Sequence, residues 1–149
     1  MKTQLLITIL FMSVAAHGQT KKVMFVCEHG AARSAIASAY FNQLAKEKGL
    51  RYNAIFRGVQ PDTVLTKGTR EGLAADGFDV RGWAPAKVTA IDVQKSDRIV
   101  TFDCAVPLPD KKSVDRWDGI PPVSSDYNTA RQQIKAKVEK LVEELEKQR

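Results

Sequence analysis

The amino-acid sequence predicts an α/β fold built on a mostly parallel sheet. Three observations carry this expectation. A continuous apolar run, "KKVMFVC" (residues 21–27), has the character of a strand buried on both faces. It leads directly into a stretch whose apolar residues recur at helical spacing. Strand-like and helix-like segments then alternate to the C terminus, the pattern of layered α/β domains. With 149 residues, there is room for one domain with a sizeable core.

The first 18 residues stand apart from that domain. Lys2 gives a short positive region, and "LLITILFMSVAA" (Leu5 to Ala16) follows without a polar face. Ala16 and Gly18 then place small residues at the −3 and −1 positions of a cleavage site. The run is shorter than the roughly 20 residues that span a bilayer. No cysteine follows it closely to carry a lipid. The expectation is a cleaved secretory signal over residues 1–18, a mature chain from Gln19, and export to the periplasm or medium without a stable membrane anchor.

The remaining elements follow in order. After Arg33, Ile36, Tyr40 and Leu44 fall on one helical stripe with Ala37 and Phe41 beside it, and Gly49 supplies a stop signal. "RYNAIFRG" (Arg51 to Gly58) reads as a second strand. "TKGTREGLAADG" reads as a short helix ending at Gly77, and "TAIDVQKS" as another helical turn. "DRIVTFDC" (Asp97 to Cys104) is a strand enriched in β-branched residues. A long proline-rich loop, residues 105–126, is expected to be functional because compact domains rarely keep such loops otherwise. The chain closes on an amphipathic helix with Ile134, Val138, Leu141, Val142 and Leu145 on its apolar stripe. "SSD" at 124–126 provides its cap.

A formal charge of +6 favours anionic partners in general. It does not indicate nucleic acid, because no helix-turn-helix, zinc spacing or aromatic-interleaved basic stripe accompanies it. Two histidines and two cysteines lie at no metal-ligand spacing, so no metal or other cofactor is expected.

The chemistry is concentrated in "CEHGAARS" (residues 27–34). A cysteine leaving a buried strand just before a helix sits among unpaired backbone N–H groups at the positive end of the helix dipole. That setting binds anions and favours a thiolate. Gly30, Ala31 and Ala32 are small enough for backbone amides to approach a tetrahedral oxyanion, and Gly30 tolerates a positive φ. Arg33 would grip two oxygens in a fork that lysine does not match. Ser34 would donate a hydrogen bond to the sulfur. Each residue also has an ordinary structural role: a buried small hydrophobe, a solvated arginine, close helix–sheet packing. It is the combination that points to a nucleophile beside an oxyanion cradle.

"VMFVCEHGAARSAIA" resembles the opening of the low-molecular-weight protein-tyrosine phosphatase family, which includes the thioredoxin-coupled arsenate reductases, and the resemblance extends over residues 19–149. It implies three layers, with a four-stranded parallel sheet and helices on both faces. It implies Cys27 as the nucleophile, Arg33 as the oxyanion-binding arginine and Ser34 as the thiolate-supporting serine. Residues 28–32 would line the substrate: Glu28, expected to face outward, then His29, Gly30, Ala31 and Ala32. His29 has three open roles: supporting the loop, touching substrate, or simply being solvated. The substrate would be a phosphate ester or related oxyanion, with a thioredoxin-type reductant as partner if the chemistry is reductive.

Two departures bear on mechanism. The family's general acid lies in an Asp-Pro step, and none exists here. The corresponding stretch is "RWDGIPPVSSDY", where Asp118 is the candidate acid, with Asp115 and Asp126 as weaker ones. Asp118 reads equally as a turn residue before Gly119. The second cysteine, Cys104, has three open readings: a packed core thiol, a guard against overoxidation of Cys27, or a resolving thiol. The last requires Cα atoms within about 7 Å. The functional alternatives are a cysteine-dependent phosphatase, an arsenate reductase using Cys27 and Cys104, and a non-catalytic oxyanion or phosphoprotein binding module.

Overall fold

The computed structural model describes residues 18–106 and 113–148. The expected signal peptide therefore lies outside the described residues except for Gly18, as does the 107–112 part of the proline-rich loop. Four strands form one sheet: β1 (Lys21–Cys27), β2 (Tyr52–Gly58), β3 (Arg98–Phe102) and β4 (Asp115–Arg116). The order is β2-β1-β3-β4 and every pairing is parallel. Among the described residues, four helices accompany it: α1 (Arg33–Glu47), α2 (Lys67–Ala75), α3 (Ala90–Lys95) and α4 (Tyr127–Glu146). The fourth strand lies inside the stretch expected to be loop, because two residues, Asp115 and Arg116, suffice to continue the ladder beside Val100 and Thr101.

Alternation along β1 divides the core. Val23, Phe25 and Cys27 face one side with α1, α2 and α4, whereas Met24 and Val26 face the other with Val93 of α3, Ile99 and Cys104. Phe25 is the hub of the larger side, its ring centroid 5.9 Å from Phe41, 6.4 Å from Phe102 and 5.5 Å from Trp117. Such aromatic contacts add about 0.5–1.5 kcal/mol beyond the burial itself. Burial of α1 is wider than one stripe. Ala35, Ala37, Ala39 and Ala45 are buried as well as Ile36, Tyr40 and Phe41, since the helix is wedged between the sheet and α4. Leu44, expected on the stripe, is only partly buried. The stripe of α4 is buried as expected, and Asp126 caps that helix by accepting the Thr129 N–H at 3.2 Å.

One carboxylate ties three helices together. Asp76, at the C-cap of α2, accepts hydrogen bonds from Tyr40 of α1 (2.7 Å) and from Tyr127 (2.7 Å) and Arg131 (2.6 Å) of α4. Gly72 leaves room for the Tyr127 ring, which any Cβ at that position would strike. Burial raises the pKa of Asp76, but the two phenols and the guanidinium outweigh it and hold the carboxyl below its usual value. Tyr40 is pushed up to about 12 by burial and by the carboxylate it donates to.

Because the folded-state pKa of Asp76 is depressed, its contribution to stability is present above the unfolded-state pKa, about 3.9, and fades as pH falls through the folded value. Asp76→Asn is therefore expected to destabilise the fold by about 2–4 kcal/mol at pH 7. The gap between the two proteins in denaturant titrations should narrow below about pH 4.

Candidate active site

The first strand delivers Cys27 to the carboxyl edge of the sheet. Its register partners, Gly58 and Phe102, are the last residues of β2 and β3, so three strand ends meet there. This is where parallel sheets place ligands.

The loop that follows is fixed through its carbonyls. Those of Cys27, Glu28, His29 and Ala31 accept hydrogen bonds from the amides of Val59, Gln60, Asp62 and Thr66, at 2.8–3.2 Å. With the carbonyls turned outward onto the 59–66 segment, the amides of residues 28–34 make no hydrogen bond among the described residues. The helix that begins at Arg33 has no side-chain cap either, Ala32 occupying that position. A row of free donors at a helix N-terminus is an anion cradle.

Gly30 adopts φ +62° at the centre of the loop, the backbone the sequence expectation required of it. Its neighbour across the gap is a second glycine that sequence reading did not single out. A Cβ on Gly58 would lie 2.8 Å from the Gly30 nitrogen, and one on Gly30 would lie 2.8 Å from the Gly58 nitrogen. Two backbones thus touch with no side chain between them. An "RG" at a strand end carries no signal of this without the register.

Three functional side chains meet over the cradle. The Cys27 sulfur is 3.1 Å from the Ser34 hydroxyl. Arg33 Nη1 donates to Asp103 Oδ2 at 2.6 Å and to the Ile120 carbonyl at 3.0 Å. Its Nε and Nη2 make no hydrogen bond among the described residues. The pocket has a volume of about 170 Å³. Its walls are the 27–33 loop, Asp62 and Thr66 on one side and Pro122, Val123 and Ser124 on the other. Pockets that enclose drug-sized ligands run to about 300–1,000 Å³, so this one matches a tetrahedral group and the few atoms attached to it. Glu28, half-buried, forms part of the wall, and His29 stands at its exposed rim.

Asp103 is the residue the sequence reading missed. It sits just past β3 at φ +46°, the one non-glycine residue with positive φ among those described. Its carboxylate holds Arg33 through Oδ2 and accepts the Gly119 N–H through Oδ1 at 3.0 Å. Its own N–H donates to Asp118 Oδ1 at 3.0 Å. The strain of such a backbone, of order 1–3 kcal/mol, persists where surrounding contacts fix it, often at functional sites.

Asp118, the candidate acid, is not among the pocket walls. Arg116 and the Asp103 N–H both donate to its carboxyl and hold it below the usual carboxylate range. Both of its carboxyl oxygens are engaged, and the Gly119 φ of +79° fits the turn reading of this residue. Asp115 pairs with Arg98 at 2.6 Å, and Asp126 is committed to its cap.

Cys104 is buried on the opposite core face from Cys27. Its thiol lies 3.5 Å from the Val26 carbonyl, and burial pushes its pKa up. Both cysteines are free thiols. Among the described residues, no group of three or more His, Cys, Asp or Glu side chains is placed to hold a metal ion.

Comparison with known proteins bears on the same region. A family model described as low molecular weight phosphotyrosine protein phosphatase matches residues 22–108. Among solved structures, YfkJ from Bacillus subtilis is 24% identical, with a TM-score of 0.78 over 89% of this chain and 99% of that one. A thioredoxin-dependent arsenate reductase of Corynebacterium glutamicum is 22% identical, with a TM-score of 0.75 over 89% of this chain and 65% of that one. An arsenate reductase from Archaeoglobus fulgidus is 32% identical, with a TM-score of 0.67 over 80% of this chain and 98% of that one. A search of curated proteins finds no match.

The contact between the two glycines yields a test that leaves every charged side chain in place. Gly58→Ala should cost about 1–3 kcal/mol of stability through overpacking. It should also weaken phosphate binding measured by calorimetry, because the 28–31 backbone must move away.

Proposed function

The chain belongs to the low molecular weight phosphotyrosine protein phosphatase family, and from that premise we propose that it is a cysteine-dependent hydrolase of phosphate monoesters. The observation that carries this reading is the Cys27 sulfur beside the Ser34 hydroxyl, at the base of a pocket formed with Arg33. In the first step the sulfur attacks phosphorus, the S–P bond forms and the bond to the leaving oxygen breaks. The free amides of residues 28–34 and the unoccupied edge of Arg33 bear the charge spread over the three equatorial oxygens. In the second step water attacks phosphorus, the S–P bond breaks and the thiolate returns. The Ser34 hydroxyl stabilises that sulfur anion at each departure.

A second reading is arsenate reduction, favoured by the 32% identity to the Archaeoglobus fulgidus arsenate reductase. Here Cys27 would form the thiol–arsenate adduct and Cys104 would resolve it, leaving a disulfide for a thioredoxin-type reductant. Cys104 would first have to leave the Val26 carbonyl and cross to the other face of the sheet edge. That requirement ranks this reading second.

Paired assays on the reduced protein separate these readings: aryl phosphate hydrolysis, and arsenate reduction with a thiol donor. Hydrolysis should dominate, and Cys27→Ser should lower it by at least about a thousandfold, while Cys104→Ser should leave it nearly unchanged. Arsenate reduction lost in both variants would replace the first reading with the second. Phosphate binding without either activity would mark a binding module.

The N-terminal pattern supports a proposal of export. The mass of exported protein should correspond to a chain beginning at Gln19, and retention of Met1 would overturn it.

A further inference from the structure

The hydrolase reading leaves the leaving-group proton without an owner. An alkoxide is expelled slowly unless a side chain within reach of its oxygen donates a proton. The sequence has no Asp-Pro step, and the three aspartates weighed for that role are engaged elsewhere: Asp115 with Arg98, Asp118 with Arg116 and the Asp103 N–H, Asp126 in its helix cap. Among the described residues, the titratable side chains of the pocket wall besides Cys27 and Arg33 are Glu28, His29 and Asp62.

Two of those three are built as a pair. His29 Nδ1 lies 3.2 Å from the Gln60 carbonyl and 3.6 Å from Asp62 Oδ1. The same two residues are also joined through the backbone, the Asp62 N–H donating to the His29 carbonyl at 3.1 Å. A carbonyl acceptor fixes the proton on Nδ1, because it offers only lone pairs. Nε2, on the far side of the ring, makes no hydrogen bond among the described residues and is left for exchange. A histidine with Nδ1 committed and Nε2 open is the arrangement of an acid–base catalyst. Glu28 has no such partner among the described residues and lies beside a site for a dianion.

We infer that His29, oriented by the Gln60 carbonyl and Asp62, is the proton donor and acceptor of this site in place of an Asp-Pro acid. The inference rests on the hydrolase reading. In the first step Nε2–H of the imidazolium passes its proton to the leaving oxygen as the S–P bond forms, giving a neutral alcohol and a neutral imidazole. In the second, Nε2 takes a proton from the water that attacks phosphorus, the S–P bond breaks, and the imidazolium and thiolate are restored. Asp62 is the positioning residue.

The test is a series of phosphate monoesters running from p-nitrophenyl, whose phenolate leaves without a proton, to simple alkyl esters. In wild type, kcat/KM should fall gently along the series. His29→Gln should lower kcat/KM of the alkyl esters by about 10²–10⁴-fold while leaving kcat/KM of the p-nitrophenyl ester, which reads only the steps up to loss of the leaving group, within about threefold. Its kcat should fall for every ester through slower hydrolysis of the shared thiophosphate. Asp62→Asn should show the same selectivity in weaker form. A merely structural histidine would lower kcat/KM of all esters together, and that result overturns the inference. So does the selective loss appearing in Glu28→Gln or Asp118→Asn instead, or a wild-type series already as steep as that of His29→Gln. Wild-type hydrolysis of the p-nitrophenyl ester that depends on Cys27 keeps the hydrolase reading intact in each of those cases. Its absence removes both.

Discussion

The site depends on the direction in which one short loop turns its peptide groups. Four carbonyls between Cys27 and Ala31 are bonded to amides of the 59–66 segment, and that outward commitment frees the opposite, donor side of the same peptides. Backbone dipoles so oriented need no reorganisation when an anion arrives, which makes them more effective than flexible side chains. The contact of Gly30 with Gly58 sets how closely the loop and the end of β2 can approach. Nucleophile, guanidinium and hydroxyl are then carried on either side of this frame, Cys27 by a strand buried from Val23 onward and Ser34 by a helix packed against it. A loop held only by its side chains would leave the sulfur without a defined partner.

The fold was largely legible because its signals are local. Apolar runs mark β1 and β3, and the stripe of α4 reads directly at its helical spacing. The capping residues Thr66, Thr89 and Asp126 each stand where a helix begins. β4 was not legible, since two residues carry no periodicity and their pairing is set by β3. The loop residues 27–34 were legible as a group because each residue type suits one chemistry. Asp103 and Gly58 were not. The importance of Asp103 arises from a partner 70 positions earlier and that of Gly58 from a backbone contact, and neither is encoded in spacing. Burial of α1 on more than one side follows from the docking of α4, a tertiary fact that no single-helix pattern contains.

The network around Arg33 shows how strain and charge are combined. Asp103 takes a left-handed backbone that aspartate tolerates better than most residues. In return it joins the end of β3, the turn at Asp118 and Gly119, and the guanidinium of the cradle. An arginine gripped at Nη1 keeps its other edge in a defined plane, so the ion pair acts as a brace. Its side chains are exposed by 19% and 40%, and salt screens it only in part. The Asp76 cluster performs a comparable task away from the pocket, joining α1, α2 and α4 through a single carboxylate.

The placement of the two sulfurs on opposite sides of β1 has a consequence for oxidation chemistry. Val26 turns one way and Cys27 the other, and the thiol of Cys104 is seated with Val26. A bond between the two sulfurs therefore needs one side chain to leave its own cluster and turn round the carboxyl end of β1, where Cys27 is the last strand residue. If Cys27 is the one that turns, its sulfur leaves the Ser34 hydroxyl beside which the nucleophile is seated. A disulfide would use up the sulfur that attacks, so the oxidised chain would keep the amides held by the 59–66 segment and lose their nucleophile.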